Sequence, residues 1–269
     1  TLADLPALAS ALRMAADDGL VDVVGAWSHM SRADDPSEAG NASTASHVRI
    51  FEEGLAILAD AGVTPRIRHL SATSGILWHR EAHYDMVRAG IGLYGLSPDP
   101  AVATSEQLGL TPALELSAPL TSVKVIEEGT PASYGGTWVA PTRRWIGLVP
   151  LGYGDGILRA ASNQARVVVH TASGPFNAPL IGRVCMDQFM VDLGPAEGSP
   201  GTPTARSGQA PAIPGDIATL FGSGIGGEAL ADDWAQAAGT INYEIVTHLG
   251  AHIPRIYRDG ADATFGSNS

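Results

Sequence analysis

The stretch LVDVVGAWSHM, residues Leu20–Met30, decides how the first third of the chain folds. It is an apolar run of strand length that ends abruptly in Ser28 and His29. Such a run reads as a buried strand with polar groups at its end. Upstream, Leu5 to Asp17 carries Leu5, Leu8, Leu12 and Ala16 on one helical stripe. Downstream, SHVRIFEEGLAILADAG (Ser46–Gly62) is a second helix, stopped by Gly62. PRIRHLSATS (Pro65–Ser74) is a further strand, ILWHREAH (Ile76–His83) a helix, and MVRAGIGLYG (Met86–Gly95) another strand. Strands alternating with helices imply parallel βα units. His29, His69, Ser71, Thr73, Ser74 and Arg88 gather where those strands end, and in a (β/α) barrel that rim carries the chemistry.

After about Pro98 the pattern changes. Ala113–Gly129, Trp145–Gly152, Ala165–Gly174, Asn177–Gly194 and Asp216–Gly222 contain short strands divided by Gly, Pro and Asn turns. The expected architecture is therefore α/β plus all-β: a partial barrel over residues 1–98 and a mostly β domain over residues 99–269. Pro195 to Gly215 is rich in Pro, Gly, Ser and Ala and reads as a mobile loop.

At 269 residues with 45% hydrophobic content, the chain is long enough to bury a sizeable core. No apolar run is long enough to span a bilayer, and a formal charge of −12 argues against nucleic acid or an anionic membrane as partner. The lone cysteine, Cys185, excludes an internal disulfide and fits a reducing, cytoplasmic setting. Lys124 is the only lysine among 16 basic residues, so amine-based covalent chemistry has one candidate here. Strand alternation puts Lys124 on the exposed face, as a solvated residue.

Several local patterns carry a functional and a bland reading. Gly222, Gly224 and Gly227 spell G-x-G-x-x-G between a strand and a helix, yet no parallel βαβ pattern follows; a glycine turn entering a helix accounts for them. His79 and His83 stand four apart, as zinc ligands on a helix do, but a third ligand is missing and no metal is expected. Arg88 sits among apolar residues at a strand end, where burial without a partner is costly; His29 and a ligand are its candidates. Ser74 with the Gly90–Ile91 backbone could donate to a phosphate. PLGYGDG (Pro150–Gly156) places Tyr153 among three glycines, which suits either a tight turn or a close approach to something else.

Taken in order, GAWSHMSRADDP, RHLSATSGIL, MVRAGIGLYG, PLGYGDG, IGRVCMDQFMVDLG, TINYEIVTHLG and IPRIYR resemble the bacterial alanine racemases over about residues 2–258. The resemblance implies a (β/α)8 barrel, of which the second half is present, followed by a β domain. It implies pyridoxal 5'-phosphate as cofactor, alanine as substrate, and a homodimer whose subunits share active sites. By resemblance Tyr153 is one of two catalytic bases and acts in the partner's site. Arg88 would hydrogen-bond the pyridine nitrogen, with His29 supporting it. Ser74, Gly90 and Ile91 match phosphate-binding positions, Met186 a substrate-contacting position, and Arg183 the substrate entrance.

The sequence also departs from the family pattern. No segment resembling the one that carries the cofactor lysine is present, nor the one whose arginine holds the substrate carboxylate. Gly250-Ala251 stand where a tyrosine often precedes the RVPR-like ending. The expectation is that these residues are part of a longer protein, inactive alone, whose complete form interconverts L- and D-alanine for peptidoglycan. The alternatives are a catalytically dead remnant acting as a binding or assembly module, and a racemase of broader specificity.

Overall fold

The computed structural model describes residues 1–196 and 210–258. The chain forms two compact units, divided between Ala113 and Leu114. Residues 197–209 of the Pro- and Gly-rich loop lie outside the described residues; its start, Pro195, closes a strand instead.

In the first unit, helix α1 (Leu5–Asp17) begins with Pro6 in its first turn, where the missing N–H costs nothing. Strand β1 (Gly25–Trp27) follows, then α2 (Glu38–Asp60), β2 (Ile67–His69) and α3 (Thr73–Trp78). Ser37 caps α2 by accepting the Gly40 N–H at 3.1 Å. β1 and β2 pair in parallel, Gly25 opposite Ile67 and Trp27 opposite His69. This is the βαβ unit expected from the alternation.

Several expectations for this unit change. The Leu20–Met30 run forms a ladder only over Gly25–Trp27, and Leu20, Val21, Val24 and Trp27 are exposed rather than buried. Among the described residues β1 is paired on one edge only. The stripe on α1 also rotates: Ala9 is buried, Leu5 and Leu12 pack on Leu58 and Val63, and Leu8 is exposed. Met86–Gly95 is not a strand; it runs beside β2 and then makes a 3₁₀ turn over Ile91–Tyr94. The cause is local. The Arg68 N–H, which a ladder would use, goes to the Asp85 carboxylate at 2.8 Å, while Asp85 and Met86 both donate to the Arg68 carbonyl. The Asp85 carboxyl, hydrogen-bonded by the Arg68 side chain, is held at about 2.

Residues 99–113 stay with the first unit. Ala113 N–H donates to the Tyr94 carbonyl at 3.0 Å, and Ser105 Oγ accepts the Ser97 N–H at 2.9 Å.

The second unit is built on a seven-stranded antiparallel sheet. Its strands are β3 (Leu116–Pro119), β4 (Ser122–Ile126), β7 (Arg144–Val149), β8 (Arg166–Thr171), β9 (Gly174–Ile181), β10 (Phe189–Pro195) and β11 (Ile217–Phe221). A small hairpin of β5 (Pro131–Ala132) and β6 (Trp138–Val139) is separate from it. The sheet order is β3-β11-β8-β9-β10-β7-β4. β3 and β4 are consecutive in the chain yet occupy opposite ends of that order. Leu120 donates to Asp216 and Thr121 to Leu148, so the link touches both ends and the sheet must curl. Val167, Val169, Leu180, Val191, Leu220 and Phe221 are buried residues of this sheet. Helix α4 (Ala231–Ala238) packs on it through Trp234, whose indole N–H donates to the Leu220 carbonyl at 2.6 Å. Helix α5 (Asn242–Thr247) follows.

Candidate functional site

In the first unit Arg88 organises the ends of β1 and β2. Its backbone N–H donates to the Ser71 carbonyl at 2.9 Å, which fixes the start of the side chain. One guanidinium nitrogen donates to His69 Nδ1 at 2.9 Å. The other donates to His29 Nδ1 at 2.9 Å, to the Ser28 carbonyl at 3.1 Å and to the Leu70 carbonyl at 3.2 Å. Arginine can only donate, so both imidazoles accept through Nδ1 and carry their proton on Nε2. Trp27 lies beneath, 5.1 Å from ring centroid to guanidinium carbon, and stacks on His69 at 6.0 Å. Burial pulls the Arg88 pKa down from its ordinary value. Burial, reinforced by the Arg88 charge, also lowers that of His69 and keeps it neutral. The sequence placed His69 among the polar residues at the strand ends but named only His29 and a ligand as candidates for Arg88; His69 is the second partner.

The phosphate candidates divide. Gly90 is exposed, and a Cβ there would approach only Thr73 Oγ1, at 3.8 Å. That hydroxyl oxygen accepts the Gly90 N–H at 3.0 Å and the Gly92 N–H at 3.4 Å. Thr73, rather than Ser74, is thus brought to the Gly90–Gly92 turn, and Ile91 begins that turn as a buried residue. Ser74 lies in the first turn of α3 and is partly exposed.

The His79/His83 pair does not share a helix face. The helix expected across it ends at Trp78, and His79 leaves helical geometry at φ −134°, ψ 70°. His79 Nε2 bonds the Ala33 carbonyl at 3.0 Å, and His83 Nε2 the Ile76 carbonyl at 3.1 Å. The two rings are spent on backbone carbonyls. Among the described residues no group of three or more His, Cys, Asp or Glu is arranged around a metal position.

In the second unit Tyr153 starts a 3₁₀ turn, Tyr153–Asp155, at the end of β7. Its N–H donates to the Cys185 carbonyl at 2.9 Å, and the Gly154 N–H to the Met186 carbonyl at 2.8 Å. The flanking glycines are needed for that approach: a Cβ at 152 would stand 2.3 Å from both carbonyl oxygens, and one at 156 would stand 2.2 Å from the His248 carbonyl. Tyr153 is 45% exposed and Met186 55%. A turn and a projecting ring are therefore the same feature.

Arg183 is partly buried, with its guanidinium against Gly135. Ser133, at φ 62°, donates to the Arg183 carbonyl at 2.6 Å. Its oxygen lies 3.4 Å from Cys185 Sγ, so the thiol is half-buried beside a hydroxyl rather than sealed in the core. Lys124 is exposed on β4. The glycine motif is a turn filled from within: Glu228, 5% exposed, accepts from Ser223 Oγ at 3.0 Å and Gly224 N–H at 2.9 Å. Burial alone would raise its pKa, but these backbone and hydroxyl donors outweigh burial and lower it. A carboxylate thus sits where a dinucleotide phosphate would need the same N–H groups.

A βα unit that ends in a histidine-braced arginine, and a separate curled β unit that presents a tyrosine turn, are the two parts expected of a barrel-plus-β-domain protein. Residues 113–257 match the family model "Alanine racemase, C-terminal domain", and residues 1–98 match "Alanine racemase, N-terminal domain". The chain belongs to the alanine racemase family. It is 42% identical over 258 residues to an alanine racemase of Salinispora arenicola, covering 96% of this chain and 63% of that one. The solved alanine racemase of Streptomyces coelicolor superposes with TM-score 0.83 at 41% identity, over 95% of this chain and 61% of that one. The Bacillus anthracis alanine racemase, solved with bound L-Ala-P, gives 0.74 at 28% identity, over 93% and 58%. The chain thus spans about three fifths of the length of these relatives.

Proposed function

We propose that the complete protein interconverts L- and D-alanine with pyridoxal 5'-phosphate, as a cytoplasmic homodimer that supplies D-alanine for peptidoglycan. The observation that carries this reading is Arg88, clamped by two neutral imidazoles. Its two terminal nitrogens are engaged, and its Nε–H is not bonded to a described residue. That donor would meet the pyridine nitrogen. An arginine does not readily give up its proton, so the nitrogen would stay largely unprotonated. His29 and His69 hold the guanidinium in place while contributing no charge that would repel it.

At the phosphate end the Gly90 backbone is exposed, and the Thr73 hydroxyl, which accepts the Gly90 N–H, keeps its own proton to donate to a phosphate oxygen, with Ser74 and Ile91 adjoining. When bound, the cofactor supplies an electron-withdrawing ring that acidifies the substrate Cα–H. The chain does not supply a suitable amine: Lys124, its one lysine, is exposed on strand β4. A lysine elsewhere in the protein would hold the cofactor and serve one face of Cα.

Tyr153 would serve the opposite face, in the partner's site. One base cannot reach both faces of a carbanion. Met186, whose carbonyl fixes the Tyr153 turn, would lie against the substrate, and Arg183 would line its entrance. The test is Tyr153→Phe in the complete enzyme, assayed in both directions with alanine and beside it serine and lysine. A loss of at least about 100-fold in one direction is expected, with cofactor binding retained and alanine preferred. Near-wild-type rates in both directions would refute the role.

A further inference from the structure

The turn that presents Tyr153 is held from two sides. One is the Cys185–Met186 backbone described above. The other is Asp155, two residues beyond the tyrosine. Asp155 Oδ2 accepts the Gly152 N–H at 2.7 Å, which closes the turn on itself. Its backbone carbonyl accepts the Gly250 N–H at 2.9 Å. Its second carboxylate oxygen, Oδ1, accepts from His252 Nε2 at 2.7 Å, across a sequence separation of 97. The Asp155 side chain is only 17% exposed, so leaving one of its oxygens without a donor would be costly.

We propose that His252 is a positioning residue for Tyr153, acting through Asp155. Gly250 and Arg255 prepare it for that role. A Cβ on residue 250 would stand 2.4 Å from the imidazole Cε1, so glycine leaves the ring room to lie back over the backbone and reach Asp155. Arg255 draws the loop together, donating to the Gly250 carbonyl at 2.7 Å, to Ile253 at 2.6 Å and to Leu249 at 3.2 Å. The Gly250-Ala251 departure from the family pattern thus has a local physical use. The loop's hold on the turn follows from the contacts alone. Its consequence for proton transfer rests on the reading of Tyr153 given above.

Amide hydrogen exchange on the full ¹⁵N-labelled chain tests the proposal, with 3-fluorotyrosine labelling to follow the phenol; Tyr153→Phe assigns its signal. His252→Ala is expected to speed exchange at Gly152 about tenfold, with Val167–Val169 in β8 unchanged, and to shift the Tyr153 fluorine resonance. His252→Gln places an amide N–H where Nε2 stood. It is expected to keep Gly152 within about threefold of the wild type and to return the fluorine signal to its place. Unaltered Gly152 exchange and an unmoved Tyr153 signal in His252→Ala would overturn the proposal. So would an acceleration spread equally through β8, or a glutamine variant that behaves as the alanine one does. None of these readouts depends on turnover, so they stand or fall separately from the racemase reading.

Discussion

Gly152 is the position where close approach can be measured apart from backbone strain. Its φ of −146° and ψ of −164° are extended values that alanine adopts freely, so Gly152→Ala carries no conformational penalty of its own. The added Cβ would stand 2.3 Å from the carbonyl oxygens of Cys185 and Met186. Both are backbone atoms and cannot rotate away. They are also the acceptors for Tyr153 and Gly154 N–H, at 2.9 and 2.8 Å. Retreat to an ordinary contact distance lengthens both bonds. Overpacking costs about 1–3 kcal/mol and each weakened bond about 0.5–1.5 kcal/mol, a total of about 2–6 kcal/mol. Gly239→Ala is the control: at φ 69° with nothing within 4 Å, it incurs only the left-handed penalty, about 1–2 kcal/mol. Gly156→Ala, at φ 103° and 2.2 Å from the His248 carbonyl, incurs both penalties and should be the worst of the three. Urea unfolding followed by tryptophan fluorescence reads the series, since Trp234 is buried at 3% exposure beside the sheet. A Gly152→Ala variant no less stable than Gly239→Ala would refute the reasoning.

Two further outcomes follow from the electrostatics. His69 is held below its ordinary pKa first by burial and second by Arg88. The unfolded chain therefore binds more protons there, and stability falls as pH drops below about 6.5 toward the lower folded value. In Arg88→Gln only the second cause is removed, so an NMR titration of His69 should move part of the way back; no movement would contradict the contact. Glu228→Ala empties the glycine turn of its internal acceptor and should cost about 1–3 kcal/mol in urea unfolding, without creating affinity for nucleotides in a fluorescence titration. Nucleotide binding by that variant would return the G-x-G-x-x-G stretch to its other reading.

The sequence alone settled α1, α2 and most strands of the β unit, because periodicity and punctuation are local: a helical stripe for α1, a glycine stop for α2, apolar strand-length runs for the sheet, glycine and proline between them. It also marked Arg88 and Tyr153, since a buried guanidinium and a phenol among glycines are each costly or odd unless something uses them. Tertiary structure decided what lies at right angles to the chain. Arg68 spends its N–H on Asp85, so Met86–Gly95 fails to become a strand. His69 as well as His29 reaches Arg88, and Thr73 rather than Ser74 meets Gly90, because side-chain direction at the end of a two-residue polar run is set by the neighbouring element. His252 finds Asp155 across 97 residues, and Glu228 fills its own loop. Such pairings depend on which distant backbone groups come within about 3 Å, the reach of a hydrogen bond, and no local pattern encodes that distance.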